Sequence, residues 1–98
     1  MRIIRSSQTY EDLVEIATWL AEDDEAVALR FFDAYEARLT ALKKTPKIGA
    51  PRRTAYGVDF RIWFVEGFEK VLVIYEEYPN EVRILRVIHS AKDYTRFT

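Results

Sequence analysis

Residues 60–88 read FRIWFVEGFEKVLVIYEEYPNEVRILRVI, and their periodicity decides the fold. In Phe60-Arg61-Ile62-Trp63-Phe64-Val65 the even positions are apolar and the odd ones mixed, the period of two that a strand imposes on its two faces. Val71-Leu72-Val73-Ile74-Tyr75 is apolar throughout, which suits a central strand buried on both sides. Glu81 to Ile88 reads Glu-Val-Arg-Ile-Leu-Arg-Val-Ile, an antiparallel neighbour of that strand. Gly67 and Pro79-Asn80 separate the runs with so few residues that a meander is the natural connection.

Upstream, Pro46, Gly49, Pro51 and Gly57 crowd into one connection, and no Gly or Pro precedes Pro46. The first 45 residues are therefore read as regular structure. Arg2-Ile3-Ile4-Arg5 is short and β-branched, an opening strand. Thr9 and Asp12 form a Thr-x-x-Asp capping pattern, after which Leu13, Ile16, Ala17 and Leu20 mark one buried helical face. The acidic cluster 22–25 breaks this helix and caps a second, whose stripe runs through Ala28, Phe31, Phe32, Tyr35, Leu39 and Leu42 to Lys43 and Lys44. Two helices joined so tightly pack as an antiparallel pair. The tail from His89 to Thr98 is expected to form a short helix or an arm. The predicted fold is α+β: an N-terminal strand, an antiparallel two-helix hairpin packed on a mostly antiparallel sheet of three or four strands, and the short C-terminal element, all in a single domain over 1–98.

Composition narrows the chemistry. The chain has no cysteine and one histidine, His89, which removes disulfide scaffolds, thiol nucleophiles, zinc fingers and His-clustered metal sites. A Ser-His-Asp arrangement would need His89 with Ser90, neighbours that a strand points to opposite faces. Glu76 and Glu77 diverge for the same reason, and no glycine-rich phosphate loop occurs. No cofactor and no metal is expected. The absence of an apolar run long enough for a signal peptide or a membrane span makes a cytoplasmic protein without membrane partners the expectation.

The net charge of −1 conceals local order. Residues 46–61 carry Lys47, Arg52, Arg53 and Arg61 against Asp59, a net +3, and residues 83–98 carry Arg83, Arg86, Lys92 and Arg96 against Asp93, again +3. Residues 62–82 between them, with Lys70 against five glutamates, sum to −4. These arginines either pair with the abundant carboxylates or, if the strand of Arg61 lies near that of Arg83 and Arg86, form a cationic patch. Trp19 lies beside the apolar stripe of its helix, and Trp63 shares a strand face with Arg61. Either tryptophan is ordinary packing or part of a partner-binding surface, where Trp and Arg are enriched.

The order of elements and three segments together resemble the RelE/ParE superfamily of small toxins from type II toxin–antitoxin modules, its ParE branch more than its RelE branch. The segments are Asp12 to Ile16 with Trp19 to Asp23; Ala28 to Phe32 through Leu39 and Leu42 to Pro46-Lys47-Ile48-Gly49-Ala50-Pro51-Arg52; and Val82 to Asp93, which is the most specific. The resemblance implies a helix hairpin on a mostly antiparallel sheet. It also implies a cognate antitoxin whose C-terminal segment wraps the toxin, with Trp19 and Trp63 as candidate contacts. Plasmid stabilisation, contact with DNA only through the antitoxin, and a toxin–antitoxin heterotetramer are further implications.

The two branches differ in mechanism. ParE toxins poison DNA gyrase and are not nucleases, whereas RelE toxins are ribosome-dependent endoribonucleases that cut mRNA. On the ParE reading no catalytic residue is expected, Arg61, Arg83, Arg86 and Lys92 are the target-binding candidates, and His89 is a structural residue at a strand end. On the RelE reading Arg61, Arg86, His89 and Tyr94 form the catalytic set. Ser90 and Ala91 stand where RNase relatives tend to carry arginines, Trp63 where many are basic, and the net charge suits ribosomal RNA poorly, so the ParE reading is preferred. A family member that only binds its antitoxin is the third alternative.

Overall fold

A computed structural model of the chain describes residues 1–90. The elements follow in the order β1 (Arg2–Arg5), α1 (Ser7–Asp23), α2 (Glu25–Lys44), β2 (Ala50–Arg53), β3 (Asp59–Val65), β4 (Phe68–Tyr78) and β5 (Glu81–His89). The strands form one sheet in the order β1-β5-β4-β3-β2. The meander β3–β4–β5 is antiparallel throughout, β2 adds antiparallel to β3, and β1 runs parallel to β5 at the opposite edge.

The α+β architecture is the one expected, with one strand more than anticipated. The extra strand is β2, four exposed residues within the segment read as a connection. Its sequence, Ala-Pro-Arg-Arg, lacks alternation, and a proline is tolerated there because β2 is an edge. Gly67, at φ +82°, supplies the left-handed residue that the tight β3–β4 turn requires.

Helix starts depend on short polar side chains. Ser6, leaving β1, caps α1 by accepting the Thr9 N–H at 3.2 Å, and its hydroxyl donates to the Leu85 carbonyl at 2.8 Å. The cap thus lies ahead of Thr9, which is buried inside the first turn and donates to the Ile84 carbonyl at 3.2 Å. Asp24 caps α2 from within the expected acidic break, accepting the Ala26 N–H at 2.9 Å.

The helices cover one face of the sheet. Phe31, Tyr35, Leu39 and Leu42 of α2 and Leu13 and Ile16 of α1 pack on Val65, Val73, Tyr75, Val82 and Val87. Each such side chain contributes roughly 1.5–3 kcal/mol on burial. Phe60, Ile62, Ile74 and Ile88 form a second cluster. Val73 and Ile74 are adjacent yet belong to different clusters, so β4 is buried on both faces as its unbroken apolar run demands. On α2, Phe32 is exposed rather than buried, and Arg38 occupies the stripe in its stead.

Candidate functional site

The candidate arginines lie on strands flanking β4. Arg61 sits on β3 opposite Tyr75, while Arg83 and Arg86 sit on β5 opposite Glu76 and Ile74. β4 therefore separates Arg61 from the other two, and each of the three contacts a carboxylate.

Arg61 and Tyr75 together tie down the loop after α2. One terminal nitrogen of Arg61 donates to the Lys47 and Gly49 carbonyls at 3.1 and 2.7 Å, and the other lies 3.3 Å from Glu77. The Tyr75 hydroxyl donates to the Pro46 carbonyl at 2.8 Å and accepts the Gly49 N–H at 2.9 Å. A Cβ on Gly49 would meet that hydroxyl at 2.5 Å, so only glycine lets the loop approach so closely. Burial pushes the Tyr75 hydroxyl above its ordinary pKa, and the Gly49 amide and the Arg61 charge pull partly the other way.

Arg86 performs a similar task at the other side of the sheet. A register shift at Ile74/Tyr75 brings it opposite Ile74, and its guanidinium donates twice to Asp12 of α1, at 2.7 and 2.9 Å. Asp12 is 4% exposed and also accepts the Val87 N–H at 3.0 Å. Arg83 is exposed, pairs with Glu81 and stands 4.4 Å above the ring of Tyr78. Lys92 and Tyr94 lie outside the described residues.

The two tryptophans flank the β3–β4 turn. Trp19, half exposed, meets His89 edge-on with ring centroids 5.0 Å apart. Both line a recess of about 260 Å³ with Leu20, Phe68 and Glu69. Trp63 borders a groove of about 560 Å³ lined mainly by Ile48, Ile62, Phe64 and Leu72, with Arg52 and Glu69 at its charged positions. Glu69 lines both spaces, which makes them neighbours. The guanidinium carbon of Arg38 lies 3.4 Å from the centroid of Trp63. The spacing of Arg38, three residues after Tyr35 and seven after Phe31, is a stripe position in the sequence, although its charge sets it apart from the apolar residues that define the stripe.

Among the described residues no group of three or more His, Asp or Glu side chains is placed to hold a metal ion, and no helix is long and apolar enough to cross a membrane. The geometry offers ion pairs that fasten loops and helices to the sheet, and aromatic recesses at one end of it.

Matched against family models, this chain of a helix hairpin and a five-stranded sheet falls in the class of toxins from type II toxin–antitoxin systems. It belongs to the family described as "ParE toxin of type II toxin-antitoxin system, parDE", whose model matches residues 3–94. The resemblance in its sequence segments is thereby shown, and membership implies an antitoxin as partner. No curated protein sequence matches the chain at a significant level.

Proposed function

We propose that this toxin acts in the cytoplasm by binding DNA gyrase, and that its antitoxin neutralises it by covering the surface around Trp19 and Trp63. The observation carrying this reading is the engagement of Arg61 and Arg86. A nuclease would turn these groups toward a phosphate in flight, where an arginine stabilises the charge that develops during cleavage. Here Arg61 donates to two loop carbonyls and Arg86 donates twice to Asp12. Redirecting either to RNA would undo contacts that hold the fold.

Arg83, exposed on β5, remains a target-binding candidate together with Lys92. Plasmid stabilisation, a heterotetrameric complex with the antitoxin, and contact with DNA only through that complex complete the proposal.

The test is a pair of assays on the purified chain. Added to gyrase and relaxed plasmid, it should inhibit supercoiling or trap cleaved DNA, and added to translating ribosomes it should leave mRNA intact. Tyr94→Phe should not alter toxicity. Codon-positioned mRNA cleavage that disappears in Tyr94→Phe, with gyrase unaffected, would overturn the gyrase reading in favour of a nuclease.

A further inference from the structure

Arg38 carries its charge in a buried position where it forms no ion pair among the described residues. It is 8% exposed, on the buried, sheet-facing side of α2. Its guanidinium carbon rests 3.4 Å from the Trp63 ring centroid and 4.9 Å from that of Phe64. Among the described residues the buried Nε has no hydrogen-bond partner and no carboxylate forms an ion pair with Arg38. Burial draws its pKa below the ordinary arginine value, while Glu66 and Glu69 act in the opposite sense. Stacking on an indole and carboxylates beyond contact distance compensate a buried cation only in part, so the free protein holds a guanidinium with unused hydrogen-bonding capacity.

This charge opens onto a built recess. With Arg38, the side chains of Ala34, Ala37 and Ala41 on α2 and Glu66 in the β3–β4 turn line a space of about 290 Å³. The alanine methyls allow a partner's backbone to come close. Trp63, beneath the guanidinium, also borders the larger apolar groove, so the cation and the groove share one aromatic wall.

We propose that the recess is an anchor point for the antitoxin, where an Asp or Glu carboxylate of the bound segment pairs with Arg38 while apolar neighbours of that residue fill the groove beside Trp63. The inference rests on the antitoxin partnership stated above and names the chemistry of recognition. A guanidinium stripped of water calls for a charged acceptor, and a carboxylate can take two of its N–H donors at once. Glu66 in the recess and Glu69 in the groove disfavour a polyanion such as RNA, but tolerate a single carboxylate on an otherwise apolar peptide. The occupant is therefore a peptide rather than a nucleic acid.

The experiment measures binding of the full chain to the protein encoded in the adjoining reading frame, by titration calorimetry. Arg38→Met should weaken the complex at least tenfold while the free chain melts at an equal or higher temperature, since the substitution removes an unpaired buried charge. Arg38→Lys should restore only part of the affinity. Among Asp→Asn and Glu→Gln variants of the partner, one should show the same loss with no further loss when combined with Arg38→Met, and this arm leaves the toxin's own fold untouched. Unchanged affinity in Arg38→Met, or losses that add for every acidic residue of the partner, would overturn the anchor while leaving the partnership standing. If the wild-type chain fails to bind, the identification of that protein as antitoxin falls, and the anchor with it.

Discussion

Among the described residues Asp12 accepts four hydrogen bonds, two from Arg86, one from the Val87 amide and one from the Gln8 side chain, and in doing so fastens α1 to the bulged stretch of β5. Removing it takes two hydrogen bonds from the partly buried Arg86 guanidinium and leaves the buried Val87 N–H without its acceptor. Asp12→Ala should therefore cost about 3–5 kcal/mol in urea denaturation, far more than a surface ion pair is worth. Replacing both partners together, as Asp12→Leu with Arg86→Met, should recover much of that loss, because no charge is then stranded. Tyr35 presents the opposite case. Its ring is buried and its hydroxyl has no hydrogen-bond partner among the described residues, so Tyr35→Phe should change stability at neutral pH by less than about 1 kcal/mol. Burial pushes the Tyr35 hydroxyl to about 12, with the nearby Arg5 working against the shift. The unfolded chain releases this proton near pH 10, so the stability that the neutral phenol contributes is complete below pH 10 and is lost as pH climbs toward 12. Denaturation across that window should show a flatter pH profile for Tyr35→Phe, with a residual slope from Tyr75, whose pKa is raised as well.

At the level of elements, the start of α1 is where local and long-range interactions coincide. Ser6 caps the helix and also bonds the Leu85 carbonyl, so Ser6→Ala should cost about 1–2 kcal/mol, the upper part of the range for a lost cap, read by thermal or urea unfolding. Thr9-x-x-Asp12 looks like the cap in sequence because both residue types favour that position. In the structure both are drawn to β5, a partner some 75 residues away that no local pattern can reveal. The meander and the helix pair were legible because each rests on periodicity within a short window. β2 was not, since a four-residue edge strand with Pro51 has neither alternation nor a buried side. Arg38 escaped for a related reason: its spacing belongs to the apolar stripe of α2 and its chemistry does not. Trp19, Trp63 and the arginines could be named from sequence, but their partners depend on strand register.

Across the whole molecule, the alternation of charged blocks along the chain turns into pairing within the sheet. The acidic stretch 62–82 lies between two basic ones in sequence, and the antiparallel meander sets β4 between β3 and β5 in space. Arg61 from the first basic block therefore meets Glu77 of β4, whereas Arg83 from the second pairs within its own strand, with Glu81. A near-neutral chain with two basic segments uses part of that charge to fasten its own elements, Arg53 to β3, Arg61 to β4 and Arg86 to α1.

The parallel pairing of β1 with β5 also bears on the order in which the molecule is made. β1 leaves the ribosome ahead of the other strands, and the strand it joins emerges after them, with Ser6 and Leu85 separated by 79 residues. At roughly 5–20 residues per second, β1 waits on the order of 4–15 s for its neighbour. Until then α1 also lacks the surface to which Ser6, Thr9 and Asp12 attach it. The nascent toxin thus assembles β1 and α1 onto the sheet only as synthesis reaches β5, so the edge that β1 closes stays open for those seconds.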